Sequence, residues 1–237
     1  MKGRFHSVCV ARRTRRSDSQ SLRRRYPAHV PLVPFEIEPV RAPLPAAVTT
    51  FLASAKTRID AWFARPEHRS GIGFIPSDYE LVWRTLAAMR RDQPDARQLL
   101  EWGSGFGVIV GLGVLLGFES AGIEVDRDLA AASRDLLTEH RLRATIAEGS
   151  FVPERQRSSE RLVDLETRTV LDAPDAYDEL DADLQDFDVV FAYPWPTEEA
   201  LYCDVFARGA DYGAVLLTFA RDEGVRAYRK IGGRKRR

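Results

Sequence analysis

The residues best equipped for chemistry lie in two short segments, Leu99-Leu100-Glu101-Trp102-Gly103-Ser104-Gly105-Phe106-Gly107 and Gly122-Ile123-Glu124-Val125-Asp126. They read as a strand, a glycine turn into a helix, and a second strand ending in a carboxylate, which together make a nucleoside-cofactor site. Gly103, Gly105 and Gly107 let the backbone turn sharply and approach a ligand where a Cβ would collide. The turn, with Ser104 inside it, is expected to present free amide groups, and Glu124 to accept from both ribose hydroxyls.

Spacing separates two kinds of cofactor. A dinucleotide fingerprint needs a small residue at position 108, and this chain has Val108, its third glycine coming one residue early. Glu101 also puts negative charge where a pyrophosphate would be repelled and an ammonium or sulfonium welcomed. A cofactor carrying positive charge fits better.

At these residues the chain resembles the class I S-adenosylmethionine-dependent methyltransferases, whose first motif is an acidic residue followed by Gly-x-Gly-x-Gly and whose second ends in an acidic residue. The resemblance implies S-adenosylmethionine as cofactor and no metal. Glu101, Gly103, Ser104, Gly105 and Gly107 would lie around its methionine part, Glu124 at the ribose, and Ser150 with Phe151 at the adenine. An Asp is usual in that family where this chain has Ser150.

A second strong feature is Phe187-Asp188-Val189-Val190-Phe191-Ala192-Tyr193-Pro194-Trp195-Pro196, a buried strand running into two prolines that flank a tryptophan. Tyr193, Pro194 and Trp195 are expected to line the channel in which a methyl group is transferred, because aromatic faces attract cations without donating a proton. Amino-directed nucleic-acid methyltransferases carry Asp/Asn-Pro-Pro-aromatic here, and this chain has neither the polar first residue nor the paired prolines. The stretch from Phe74 to Ser150 is more similar to small seven-strand protein lysine methyltransferases, which carry a Pro/Ser/Thr-rich segment and a Tyr before the glycine loop, matched by Pro76-Ser77-Asp78-Tyr79. That resemblance implies a protein lysine or another amine as acceptor, with Asp78 and Tyr79 as candidates to hold or deprotonate it. A domain that binds the cofactor without turnover and a nucleic-acid methyltransferase are the alternatives.

Composition sets the frame. With 237 residues, 44% of them apolar, the chain can bury one substantial core. Its net charge is zero but unevenly spread: residues 2 to 25 hold nine Lys/Arg against one acid, and residues 154 to 188 hold twelve acids against four bases. Of the 35 basic residues 31 are arginine throughout the chain, which looks like a codon bias and weakens a nucleic-acid reading of the tails. Cys9 and Cys203, with four scattered histidines, indicate neither a disulfide framework nor a zinc site. The longest apolar run, Val108 to Phe118, is too short to cross a bilayer. No signal-peptide core follows the N-terminal arginines, so the expected location is the cytoplasm, although an Arg-rich, acid-poor start also suits an organelle transit peptide.

These residues need a scaffold. Strands are expected near Gln98 to Trp102, Ser120 to Val125, Arg143 to Ala147, Asp188 to Ala192 and Ala214 to Phe219, alternating with helices, one of them carrying the stripe Leu129, Ala132, Ser133, Leu136, Leu137 and His140. That alternation predicts a doubly wound, mostly parallel α/β sheet with ligands at the carboxyl ends of its strands. Six prolines between residues 26 and 45 suggest an extended arm, so residues 1–45 are expected to be a basic, then proline-rich extension. An accessory helix within residues 46–73 follows, then a cofactor-binding domain over 74–231 and a basic tail over 232–237. Ser77 and Glu80 have the pattern of a capping box. The acidic stretch Asp172 to Asp188 reads as a solvated insertion.

Overall fold

The computed structural model describes residues 32–68, 73–157 and 167–232; the basic N-terminal segment and most of the basic tail lie outside them. Seven strands form one sheet in the order β1-β7-β6-β5-β2-β3-β4, with β1 at Leu32–Phe35, β2 at Gln98–Trp102, β3 at Glu119–Glu124, β4 at Thr145–Glu148, β5 at Val189–Ala192, β6 at Val215–Ala220 and β7 at Gly224–Lys230. Strands β2 to β6 are mutually parallel, while β7 runs antiparallel to β6, and β1 antiparallel to β7. The expected doubly wound, mostly parallel sheet is therefore present.

Because they are covered on both faces, β5 and β6 are nearly continuous apolar runs, while β2 and β3 carry buried acids at Glu101 and Glu124. Successive side chains go to opposite sides. Leu99, Val189, Phe191, Val215 and Leu217 join one core with helices α1 (Ala46–Ala64), α2 (Tyr79–Asp92), α3 (Val108–Leu115) and α4 (Arg127–Glu139). Leu100, Trp102, Val190, Ala192 and Leu216 join the other, with α6 (Ala176–Leu180) and α7 (Glu199–Gly209). A four-residue helix, α5, spans Glu154–Arg157. Among the described residues no helix is long and apolar enough to cross a membrane, and no group of three or more His, Cys, Asp or Glu side chains could hold a metal ion.

Three expectations need correction. The proline-rich arm is not outside the domain, since Leu32–Phe35 is a sheet strand; Pro34 is tolerated because β1 is an edge. The capping box at Ser77 is absent: Asp78 is the N-cap of α2, its carboxylate accepting from the Leu81 N–H at 2.9 Å, while Glu80 pairs with Arg84. The acidic stretch is not a free insertion either. Ala176, Tyr177, Leu184 and Phe187 are buried in the second core, while Asp178 and Glu179 lie within α6 and Asp175 caps it.

The order of the strands decides where a ligand can go. From β2 the chain builds outward through β3 and β4, then returns to build the other way through β5 and β6. Connections leave β2 and β5 in opposite directions, which opens a crevice above their carboxyl ends.

Candidate functional site

A cleft of about 610 Å³ occupies that crevice. Its walls come from the segments that follow five strands: Gly103 and Ser104 after β2, Val125 after β3, Gly149 to Phe151 after β4, Tyr193 to Thr197 after β5, and Arg221 to Glu223 after β6. Of the thirteen site residues expected from sequence, ten line it: Tyr79, Glu101, Gly103, Ser104, Glu124, Ser150, Phe151, Tyr193, Pro194 and Trp195. Asp78, Gly105 and Gly107 do not, and each has another task.

Those tasks are structural. Asp78 caps α2. Gly107 is the N-cap of α3 at φ 66°, where a Cβ would stand 2.0 Å from the Ser133 hydroxyl. Gly105, at φ 51°, lies under the Phe74 ring, 2.4 Å from where its Cβ would be. Gly103 differs: at φ 68° its missing Cβ meets nothing within 4 Å, so its bare face opens into the cleft.

Four amides of the glycine turn are engaged within the protein, contrary to the expectation that they are free. The N–H groups of Gly103 and Ser104 both donate to the Ile123 carbonyl at 2.9 Å, and the Gly107 N–H donates to the Ser104 carbonyl at 2.7 Å. The Gly105 N–H donates to Glu124 at 2.6 Å. Glu124 also accepts from the N–H groups of Val125 and Asp126 with its other oxygen, at 2.9 and 3.0 Å. Glu101 reaches over the turn to the first coil of α3 and accepts from the Val110 N–H at 3.1 Å. A helix start that would otherwise attract an anion is thus already met by a carboxylate.

Both carboxylates are buried, at 6% exposure each. Burial pushes the Glu101 carboxyl well above the usual carboxylate range; the Val110 N–H opposes this and the nearby Glu124 charge adds to it. Burial raises Glu124 too, against the pull of its three backbone donors. The Tyr79 phenol is pushed up by burial and then by the Glu101 charge. Ser104 adds a buried hydroxyl with no hydrogen-bond partner among the described residues.

One wall of the cleft is aromatic. Phe151 stacks on Trp102 at 4.6 Å between centroids and lies 4.7 Å from Tyr202. The Ser150 hydroxyl is committed inward, donating to the Val170 carbonyl at 2.9 Å and accepting from the Val152 N–H at 3.2 Å. The opposite wall carries Tyr193, edge-on to Phe219 at 4.9 Å, then Pro194 and Trp195. The turn beyond is held at Thr197 with φ 77°, a conformation that β-branched residues rarely adopt.

Sequence reasoning missed a polar cluster on this side. Glu199, at the start of α7, accepts from the hydroxyls of Thr218 at 2.8 Å and Tyr228 at 3.1 Å, and pairs with Arg226. Arg226 also holds Glu223 at 2.6 Å. It missed Arg168 and Thr169 as well, which reach the cleft from a segment whose only visible signal was acidity. The Thr169 hydroxyl donates to Glu198 at 2.6 Å, and the Arg168 guanidinium lies over the Trp195 ring at 5.1 Å.

No protein-family pattern matches the chain, and no curated protein matches it. Similar solved structures include an O-methyltransferase from Bacillus cereus in complex with S-adenosylhomocysteine, at 16% identity and TM-score 0.44, covering 76% of this chain and 68% of that one. An RNA methyltransferase from Salinibacter ruber in complex with S-adenosylhomocysteine is similar at 16% identity and TM-score 0.42, over 69% of this chain and 98% of that one. Streptomyces venezuelae DesVI is similar at 20% identity and TM-score 0.39; the match covers 60% of this chain and spans only about half, 51%, of that protein. At such scores the likeness adds nothing to what the strand order and the cleft show by themselves.

Proposed function

We propose that this chain is an S-adenosylmethionine-dependent methyltransferase that N-methylates an amine, a protein lysine or a small molecule. The observation that carries the proposal is the Glu101 carboxylate on the Val110 N–H. A pyrophosphate needs free amides and an uncovered helix start; this turn has its amides engaged and a buried acid in that place. A ligand bringing an ammonium and a sulfonium supplies the positive charge that two buried carboxylates lack.

The residues fit such a group. Glu101 keeps one oxygen for an ammonium, Ser104 with its unpartnered hydroxyl also lines the cleft, and Gly103 leaves room where a Cβ would intrude. Glu124 has lone pairs left for two ribose hydroxyls. Trp102, Phe151 and Tyr202 make a flat apolar wall for a purine, and Ser150 shapes that end without a free hydroxyl to offer.

When bound, S-adenosylmethionine supplies a methyl group on a positively charged sulfur. Displacement there disperses charge, so the chain's part is to align, dehydrate and neutralise. Tyr193, Pro194 and Trp195 bound the approach and exclude water. An ammonium held among them is favoured in its neutral, nucleophilic form by desolvation. Among the described residues the cleft is lined by no histidine, lysine or cysteine. An amine that arrives neutral needs no base at all, and the carboxylates on the acceptor side, Glu199 and Glu223, are already paired with Arg226. Tyr79, its phenol held protonated beside Glu101, acts as a hydrogen-bond donor or as a wall and not as a base. A cytoplasmic location belongs to the same proposal.

Calorimetric titration with S-adenosylhomocysteine, with NAD as control, tests the cofactor. Micromolar binding of the first and none of the second is expected. Binding of NAD, or of neither, overturns the proposal.

A further inference from the structure

Three arginines line the cleft, and two of them are in opposite states. Arg226 lies between Glu199 and Glu223, its charge neutralised. Arg168 makes no ion pair among the described residues, although a carboxylate is close: Glu198 accepts from the Arg168 backbone N–H and from the Thr169 hydroxyl, both neutral donors. Those two bonds tether the base of the Arg168 side chain to the start of α7. The Trp195 face, 5.1 Å below, holds its far end.

This way of holding an arginine has a chemical meaning. A guanidinium seated on an indole ring and paired with no carboxylate keeps its N–H groups as a planar fork suited to two oxygens of one anion. A solvated arginine would be mobile and would lose entropy on binding; one already seated on a ring loses less. Arg221, in the turn between β6 and β7, also lines the cleft and makes no ion pair among the described residues. Asp222 beside it weakens the field there, so Arg168 carries more of the effect.

From this juxtaposition, and resting on the methyltransferase reading above, we infer that the acceptor is an amine bearing an oxyanion, a carboxylate or a phosphate, which Arg168 holds over Trp195 with Arg221 assisting. The anion anchors the acceptor at the mouth while its amine reaches past Tyr193. Such a cleft disfavours a lysine embedded in basic sequence.

Calorimetric titration of the full chain with benzoate and, separately, inorganic phosphate, with and without saturating S-adenosylhomocysteine, tests the inference and tells the two sources of oxyanion apart. Wild type is expected to bind at least one probe at millimolar concentration or tighter. Arg168→Gln is expected to weaken that binding at least tenfold, Arg221→Gln to weaken it less, and neither to change S-adenosylhomocysteine affinity by more than twofold. Failure of both probes to bind the S-adenosylhomocysteine-loaded protein, or binding that survives both substitutions, overturns the anion site and leaves the cofactor assignment standing. Failure of S-adenosylhomocysteine itself to bind overturns the methyltransferase reading, on which the inference depends.

Discussion

The carboxylate of Glu124 holds the backbone N–H of Gly105 at 2.6 Å, so the acid at the end of β3 fixes the turn that follows β2. One residue therefore both shapes the glycine turn and lines the cleft. Glu124→Ala is expected to weaken S-adenosylhomocysteine binding more than tenfold, the loss of a bidentate charged hydrogen bond together with a loosened turn. Unchanged affinity by calorimetry would remove Glu124 from the site.

Glu101 predicts a trade between stability and binding. Its folded carboxyl titrates above the unfolded value because it is buried. The folded state then binds the proton more readily, and stability falls as pH rises from the ordinary carboxylate range through the folded pKa. Glu101→Gln removes that cost while keeping an oxygen for the Val110 N–H. At pH 8 the variant is expected to melt a few degrees higher than wild type, about 2–4 °C for each kcal/mol in a chain of this size, with the gap closing near pH 4. Its S-adenosylhomocysteine affinity should be at least tenfold weaker at pH 8. Wild-type affinity should itself decline as acid protonates Glu101. A Glu101→Gln variant that melts lower at pH 8 would contradict this account.

Gly105→Ala meets two obstacles, a left-handed φ of 51° and the Phe74 ring. The backbone strain alone costs about 1–2 kcal/mol. Urea denaturation of G105A, F74A and the double variant should show that the double is less destabilised than the sum of the singles, because removing the ring removes the collision. Strict additivity would mean that Phe74 does not press on this turn.

Tyr177 lies in the stretch that looked like a solvated insertion, yet its hydroxyl accepts from the Trp102 indole N–H at 3.0 Å within the second core. Tyr177→Phe leaves that N–H buried and unsatisfied, at about 1–3 kcal/mol. The loss should appear in the urea midpoint. A neutral effect would indicate that water replaces the phenol.

The five parallel strands were legible because burial on both faces leaves short, mostly apolar segments between helical stripes, of which Val189 to Ala192 is wholly apolar and Leu99 to Trp102 is broken only by Glu101. The two antiparallel strands were not. Leu32–Phe35 contains a proline that edges alone tolerate, and Gly224–Lys230 carries three basic residues in seven, a pattern that reads as a solvated turn. Residues announced by local spacing, Gly103 and Glu124 among them, line the cleft. Glu199, Thr218, Arg226 and Tyr228 come from three elements, and only the finished sheet brings them together. Free amides were expected at the glycine turn because its own sequence could not show that Ile123 and Glu124 would reach them.

Among the described residues strand β1 pairs with β7 alone, at the other end of the described chain. During synthesis, Leu32 leaves the ribosome with nothing to pair with until Lys230 has followed it out. The central strands can assemble on the nascent chain before the row of hydrogen bonds between β1 and β7 is able to form. Closing so long a loop also gives the fold a slow final step, during which the outer edge of β7 stays open to a wrong partner.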